Sequence, residues 1–307
     1  MSVASSEPSR LPSLPTVFLL GCGKCASTSM WKALVAQPEL CPATPVPPMM
    51  AIPQKEVHFF DNAFGRYSLG IVWCSSNFNR SRTDIWRAED CRFVDGSPSY
   101  LNFEGTAARI HQSYPPPLRS ELRLIALVRE PVSLLVSHFD YFHNFEPKMR
   151  NKTFEQWIGS WAQHEVAKPL PPHLRVGLFY EQLLPYWTLF TPAMVFMLDM
   201  HVAVTNFSVA LGGISRFLGL HFSINHEAKL PSVNRGGAHE VAPGQEMWWR
   251  VGAAHNLPHR LCRRLATAHQ HSNQALLEAT VNHRRRGLEA LGQPVFEGFD
   301  SNSSCII

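Results

Sequence analysis

Short, unbroken apolar runs, each followed by a polar turn and then a helical pattern, recur along the chain. The first is Thr16-Val-Phe-Leu-Leu-Gly21, whose continuous apolar character predicts a strand buried on both faces. Gly21-Cys-Gly-Lys-Cys-Ala26 then reads as a turn. Ser27 or Thr28 is placed to cap a helix through Trp31, Leu34 and Val35 that ends near Gln37. Residues 42–53 are a Pro-rich loop, and Glu56 to Phe60 is a brief extended apolar segment. Arg92 to Gly96 predicts a further strand, followed by a helix near Asn102–Ser113 that Pro115-Pro-Pro117 breaks. Leu122 to Val128 is the clearest strand, and Glu130-Pro131 opens a helix with Pro at its first position. Met194–Leu198 is the last strand candidate, before a helix near Ser208–Leu218, a Gly-rich loop at Asn234–Gly237 and long C-terminal helices. Strand, turn and helix in alternation predict an α/β fold with a central parallel sheet flanked by helices.

Composition narrows the class. With 307 residues, 45% hydrophobic and 17% charged, the chain is no disordered segment and has ample material for a core. The motif order uses nearly all of it in one domain, residues 16–300, between a disordered leader (1–15) and a tail (301–307). A formal charge of +4 gives no reason to expect nucleic acid. The cations are 21 Arg and 7 Lys; Arg forks suit phosphate, sulfate and carboxylate, although an Arg-biased genome gives the same count. The longest apolar stretch, Pro192 to Gly213, is interrupted by Asp199, His201, Asn206 and Ser208, so no transmembrane helix is expected. Met1 to Pro15 lacks the charged and apolar regions of a signal peptide. Seven Cys show no zinc spacing, and their odd count leaves at least one thiol unpaired within the chain; no metal is expected, because Lys and Arg supply the neutralising charge that the candidate chemistry below needs. Sequons at Asn79, Asn151, Asn206 and Asn302 lean towards a secretory lumen. Ser304-Cys305-Ile306-Ile307 is one residue short of a prenylation box.

Two segments carry candidate chemistry. At Gly21–Ser29 a strand passes through a glycine turn into a helix N-terminus, where backbone N–H groups and the helix dipole attract an anion. Gly21 and Gly23 let the backbone curl close, Lys24 adds a point charge, and Ser27, Thr28 and Ser29 add hydroxyls. The nucleotide-kinase pattern G-x-x-x-x-G-K-[ST] is not met, because Lys24 is followed by Cys25. An ordinary turn with a solvated Lys has the same appearance. In the second segment, Arg129 ends a central strand and Ser137 follows two turns into the next helix. Both then stand where open α/β sheets bind ligands. The alternative is a local salt bridge for Arg129 and a Ser137 turned to its own helix backbone.

Taken together, the segments resemble the sulfotransferases. Gly21–Met30 is similar to their 5′-phosphosulfate loop, and Leu124–Phe139 to their 3′-phosphate segment, R-[DE]-P-x-x-x-x-x-S-H-[FY]. Lys55-Glu56-Val57-His58-Phe59-Phe60-Asp61 resembles the K-E-x-H-F-F-D element of heparan-sulfate and related carbohydrate sulfotransferases, and Asp95-Gly-Ser-Pro-Ser-Tyr-Leu101 their S/T-P-x-Y segment. Glu181-Gln182-Leu183, Arg216-Phe-Leu-Gly-Leu220 and Asn234-Arg235-Gly236-Gly237 follow in the family's order. Three positions depart: Ala26 replaces a usual Gly, Gly96 a frequent Lys, and Leu134 a common second Arg. The loss at Gly96 removes a cation that in the heparan-sulfate enzymes lies near the substrate, which leaves acceptor identity open.

The resemblance implies a P-loop-like sulfotransferase fold and sulfuryl transfer from 3′-phosphoadenosine 5′-phosphosulfate to a hydroxyl or amine of a carbohydrate, such as a glycosaminoglycan-like polysaccharide. It implies that Gly23, Lys24, Cys25, Ala26, Ser27, Thr28 and Ser29 hold the 5′-phosphosulfate. Arg129 and Ser137 would hold the 3′-phosphate, and Asn234, Arg235, Gly236 and Gly237 would close over the nucleotide. Glu56 is the expected general base, with His58 as its rival or as an orienting group on the same strand face. Lys55 is expected to help hold the sulfuryl oxygens; a plain salt bridge from Glu56 to Lys55 or Lys24 is the bland reading. The run His283 to Arg286 either guides an acidic polysaccharide or is a solvated helix face. A tyrosine sulfotransferase, a nucleotide kinase and a silent nucleotide-binding module are the other functions considered. The family points to the Golgi lumen, and the cytoplasm is the alternative because no signal or anchor is read. Acceptor choice lies in loops such as residues 42–53, 62–90 and 145–172, which the motifs do not reach.

Overall fold

The structure is a computed structural model that describes residues 13–44, 54–84, 87–159, 161, 170–224, 227, 229–231, 259–285 and 299. Its centre is one parallel sheet of five strands: β1 (Val17–Gly21), β2 (Leu40–Cys41), β3 (Arg92–Asp95), β4 (Arg123–Val128) and β5 (Val195–Asp199). The order across the sheet is β2-β3-β1-β4-β5, with every pairing parallel. β1, β4 and most of β5 are buried on both faces, as their unbroken apolar runs require. The two-residue β2 was not foreseen, because Leu40-Cys41 is too short to carry a period. Its edge position is secured by the disulfide Cys41–Cys91 beside the start of β3.

The helices follow the expected places with shifted ends. They are α1 (Ser27–Val35), α2 (Gly70–Ser76), α3 (Thr106–Ser113), α4 (Pro116–Arg119), α5 (Pro131–Phe145), α6 (Phe154–Ile158), α7 (Phe179–Leu189), α8 (Met200–Thr205), α9 (Phe207–Leu218) and α10 (His259–Arg285). The Pro115–Pro117 run ends α3 but then begins the one-turn α4, since Pro is at home in a helix's first turn. One core cluster unites both faces of the sheet. A second packs Leu135, Val136 and Phe139 of α5 against Phe154, Leu174 and Leu265. α10 lies against α7 and α5.

Two expectations change here. Glu56 to Phe60 is not extended: the segment has no regular structure, and His58 adopts φ 51°. Ser27 and Thr28 do not cap α1. Its N-cap is Ala26, without a side-chain hydrogen bond. The loop at 234–237 lies outside the described residues, as do the side chains of 283–286. No helix among the described residues is long and apolar enough to cross a membrane.

Candidate active site

β3, β1 and β4 end side by side, and the chain leaving each one contributes to a single cluster. After β1 comes the glycine turn. Gly21 has φ +95°, and a Cβ there would fall 2.0 Å from the Pro98 carbonyl oxygen. Its role is therefore to let segment 97–101 pack onto β1, where Leu101 N–H bonds Leu20 O at 3.0 Å. The packing against Pro98 is a reason for glycine here that the sequence did not show. At Gly23 a Cβ would meet only the His138 ring, at 3.8 Å. The left-handed residues of the turn are Lys24 (φ 63°) and Ala26 (φ 59°), a conformation that costs an L-residue roughly 1–2 kcal/mol. A disulfide joins Cys22 and Cys25, both buried.

Two helices begin at this edge, and they differ. The Glu130 carboxylate caps α5, accepting from the N–H of Val132 at 2.9 Å and of Ser133 at 2.6 Å. α1 has no side-chain cap, so its first-turn N–H groups are the ones open to an anion. Ser27 and Ser29 are buried in that turn and Thr28 is half-buried. Arg129, only 5% exposed, donates to Lys24 O at 2.8 Å and to Ser133 Oγ at 2.9 Å. The hydroxyl that meets Arg129 is thus Ser133 rather than Ser137, which lies one turn on along α5, half-buried. Burial, then the charge of Arg129, lowers the pKa of Lys24 against the opposing pull of Asp140. Burial brings Arg129 down to about 10, partly opposed by Glu130 and Asp140. The Lys24 ammonium stands 4.9 Å over the Tyr141 ring. His138 donates from Nε2 to Gly23 O at 3.2 Å; burial, with the charges of Lys24 and Arg129, pushes it down to about 4, so it is neutral. Two crowded cations beside an uncapped helix start make a fitting seat for a phosphate or sulfate group.

The Lys55–Asp61 loop faces this turn. Side chains from the segment after β3 hold it. Tyr100 OH accepts the N–H of Phe59 at 3.0 Å and of Phe60 at 3.3 Å, and donates to Asp95 at 2.7 Å. Ser97 Oγ accepts the His58 N–H at 2.9 Å and donates to the other Asp95 oxygen at 2.7 Å. Gly96 N–H bonds Lys55 O at 2.8 Å. Asp95 is wholly buried, and burial raises it to about 6 despite the bonds from Ser97 and Tyr100. A Cβ on residue 96 would come within 2.8 Å of Trp31 and 3.0 Å of Lys55 Cγ, so Lys55 fills the space a longer residue there would need. Leu134 is likewise core, with no exposed surface.

Within this loop the Lys55 ammonium donates to Glu56 Oε1 at 2.5 Å and to Ser27 Oγ at 3.3 Å, tying the loop to α1. His58 bridges Asp61 Oδ2 at 2.6 Å and Glu56 Oε2 at 3.3 Å. The Ser99 hydroxyl donates to the same Asp61 oxygen. Burial would lower His58, but its bonds to Asp61 and Glu56 outweigh it and raise the pKa to about 9. This favours the protonated form of His58, which suits an orienting role beside Glu56 better than that of a base. Burial would raise Glu56, yet the His58 hydrogen bond and the charge of Lys55 keep it below its ordinary value. Burial is similarly outweighed at Asp61, chiefly by the His58 bond. Glu56 is the most open of the four side chains, 28% exposed against 8% for Lys55, 15% for His58 and none for Asp61. Glu56 is thus an ionised carboxylate, open to solvent and oriented by two cationic neighbours, which also make it a weaker base than a free carboxylate.

Ser133, His138, Ser97 and Tyr100 had no assigned role in the sequence reading. Ser133 stands four residues before Ser137, a spacing that puts both on one helix face and could have flagged it. Ser97 and Tyr100 stand out in the sequence as the S/T-P-x-Y segment, but what they hold could not be read, because the Lys55–Asp61 loop is distant in the chain.

The sulfotransferase-domain profile matches residues 16–234. The crystal structure of a sulfotransferase from Alicyclobacillus acidocaldarius is similar in fold, with a TM-score of 0.57 and 18% identity over 87% of this chain and 96% of that one. The sulfotransferase domain from the curacin biosynthetic pathway aligns at 16% identity over 70% of this chain and 76% of that one, with a TM-score of 0.41. No curated protein sequence matches. The profile spans most of the chain and takes in every strand of the sheet, the glycine turn, the Lys55–Asp61 loop and Arg129, and on that ground the chain belongs to the sulfotransferase family.

Proposed function

We propose that this chain transfers a sulfuryl group from 3′-phosphoadenosine 5′-phosphosulfate to a hydroxyl (or amine) of a carbohydrate, as the heparan-sulfate-type enzymes do. The observation that carries this reading is the position of Lys55. One buried ammonium touches both Ser27, at the open helix start, and Glu56, the open carboxylate. The first turn of α1, Lys24 and the hydroxyls of Ser27 to Ser29 suit the 5′-phosphosulfate. Arg129, with Ser133 and Ser137, suits the 3′-phosphate, which distinguishes this donor from ATP. Asn234 to Gly237 keep their place over the nucleotide by resemblance alone. In the reaction the acceptor oxygen bonds to sulfur while the bond from sulfur to the 5′-phosphate oxygen breaks. The acceptor proton passes to Glu56, and Lys24 with the turn N–H groups takes up the charge left on the phosphate. The K-E-x-H-F-F-D element favours a carbohydrate over a tyrosine acceptor. The disulfides Cys22–Cys25 and Cys41–Cys91 favour an oxidising compartment such as the Golgi lumen over the cytoplasm.

Labelled donor should pass its sulfate to members of a glycan panel and not to tyrosine peptides or simple alcohols. Glu56→Gln should lower turnover by about 10²–10⁴-fold while calorimetry finds unchanged affinity for 3′-phosphoadenosine 5′-phosphate. Near wild-type turnover in that variant would remove Glu56 as the base. Transfer to tyrosine peptides alone would overturn the carbohydrate assignment.

A further inference from the structure

Beside the base stands an exposed aromatic ring, Phe64, 65% exposed. A single exposed apolar residue is ordinary. This one is not loosely placed. Its ring meets the His58 imidazole edge to face, centroids 5.4 Å apart. The Arg66 guanidinium lies 4.7 Å over the Phe64 ring, and its Nη1 donates to Val57 O at 2.5 Å. The turn beneath it is tied down: Ala63 N–H bonds Asp61 Oδ1 at 3.0 Å, Gly65 N–H bonds Asn62 O at 3.0 Å and Tyr67 N–H bonds Asn62 Oδ1 at 3.1 Å. Asn62 and Gly65 take φ 57° and 68°, so the chain bends sharply on both sides of the ring. A large apolar ring is thus fixed, open to solvent, against a histidine that holds the proposed base.

We infer that Phe64 and Arg66 form the acceptor seat and that its occupant is a pyranose ring, an inference that rests on the carbohydrate reading above. A pyranose has an apolar C–H face and a rim of hydroxyls, with a carboxylate in uronic acids. Phe64 offers a flat apolar face to the first. The Arg66 fork, one nitrogen of which is committed to Val57, offers further N–H donors to the second. An aryl acceptor would use the ring and leave the fork's further N–H donors unused. A sugar seated there puts a ring hydroxyl next to His58 and hence within the neighbourhood of Glu56. The seat belongs to the 62–90 loop, one of the segments whose motifs left acceptor choice unread. It is specificity machinery and takes no part in bond making.

The test is steady-state kinetics on the best glycan of the panel. Phe64→Ala should raise the acceptor KM by about tenfold with kcat little changed, and leave affinity for 3′-phosphoadenosine 5′-phosphate unchanged. Phe64→Leu keeps apolar bulk without the flat face and should behave like the Ala variant, whereas Phe64→Tyr should stay near wild type. Wild-type acceptor KM in both the Ala and Leu variants would overturn the seat while leaving the carbohydrate reading intact. A wild-type enzyme that sulfates tyrosine peptides but no glycan would overturn the reading and the seat together.

Discussion

The turn from Gly21 to Ala26 and the loop from Lys55 to Asp61 meet at Lys55, but different forces hold them. The turn is bounded by a central strand and a helix, and Cys22 N–H continues the sheet by bonding Leu127 O at 3.0 Å. Its left-handed Lys24 and Ala26 are local backbone features, and the Cys22–Cys25 disulfide and the bonds from Arg129 and His138 to its carbonyls brace them. The loop has neither strand nor helix. Its backbone N–H groups are taken by Tyr100 and Ser97, roughly forty residues on, which in turn rest on the buried Asp95. The proposed donor site thus sits on the fold's most regular part, and the proposed base on a polar network. Backbone geometry follows local sequence; a buried network works only when every member is present.

That contrast is open to test at three strengths. The largest effect is expected at Arg129. Truncating a buried, hydrogen-bonded charge that meets a ligand anion costs about 2–5 kcal/mol, so Arg129→Ala should weaken binding of 3′-phosphoadenosine 5′-phosphate at least thirtyfold or so by calorimetry. Unchanged affinity would take the 3′-phosphate away from this side of the contrast. Next is Tyr100→Phe, which strands two buried N–H groups and one Asp95 oxygen. It should cost about 1–3 kcal/mol in denaturant unfolding and lower kcat far more than donor affinity. If donor affinity fell as much as turnover, loop and turn would not be separately held. The smallest effect is Ala26→Gly, which relieves a left-handed L-residue and should raise stability by about 1 kcal/mol, read as a higher thermal midpoint. Destabilisation there would mean that the turn is not shaped by its backbone.

The two regions were also unequally legible. The strands of the donor side could be read from Thr16–Gly21 and Leu122–Val128 because an uninterrupted apolar run can be satisfied only inside a sheet. Pro131 marked the start of α5 because its missing N–H and fixed φ fit a first helical turn. Lys24, Arg129 and Glu56 could be named from their motifs. The partner of Arg129 could not: Ser133 and Ser137 are both serines on one helix face, and only the reach of the guanidinium selects Ser133. His58 was read as extended and as a rival base. Its left-handed backbone and its place between Glu56 and Asp61 come from contacts with Ser97 and Ser99 that no period in the sequence reveals.

Alternation of apolar runs, turns and helices was enough to determine a parallel α/β sheet, since each run buries itself by a local rule. The family motifs within it determined which residue types stand at the strand ends. The tertiary structure alone decided that Gly21 makes room for Pro98, that Gly96 makes room for Trp31 and Lys55, and that the α1 start is open while Glu130 closes that of α5. It also decided that Phe64 faces solvent against His58. Each of these depends on atoms far apart in the chain coming within van der Waals or hydrogen-bond range, a condition that only the packed fold can set.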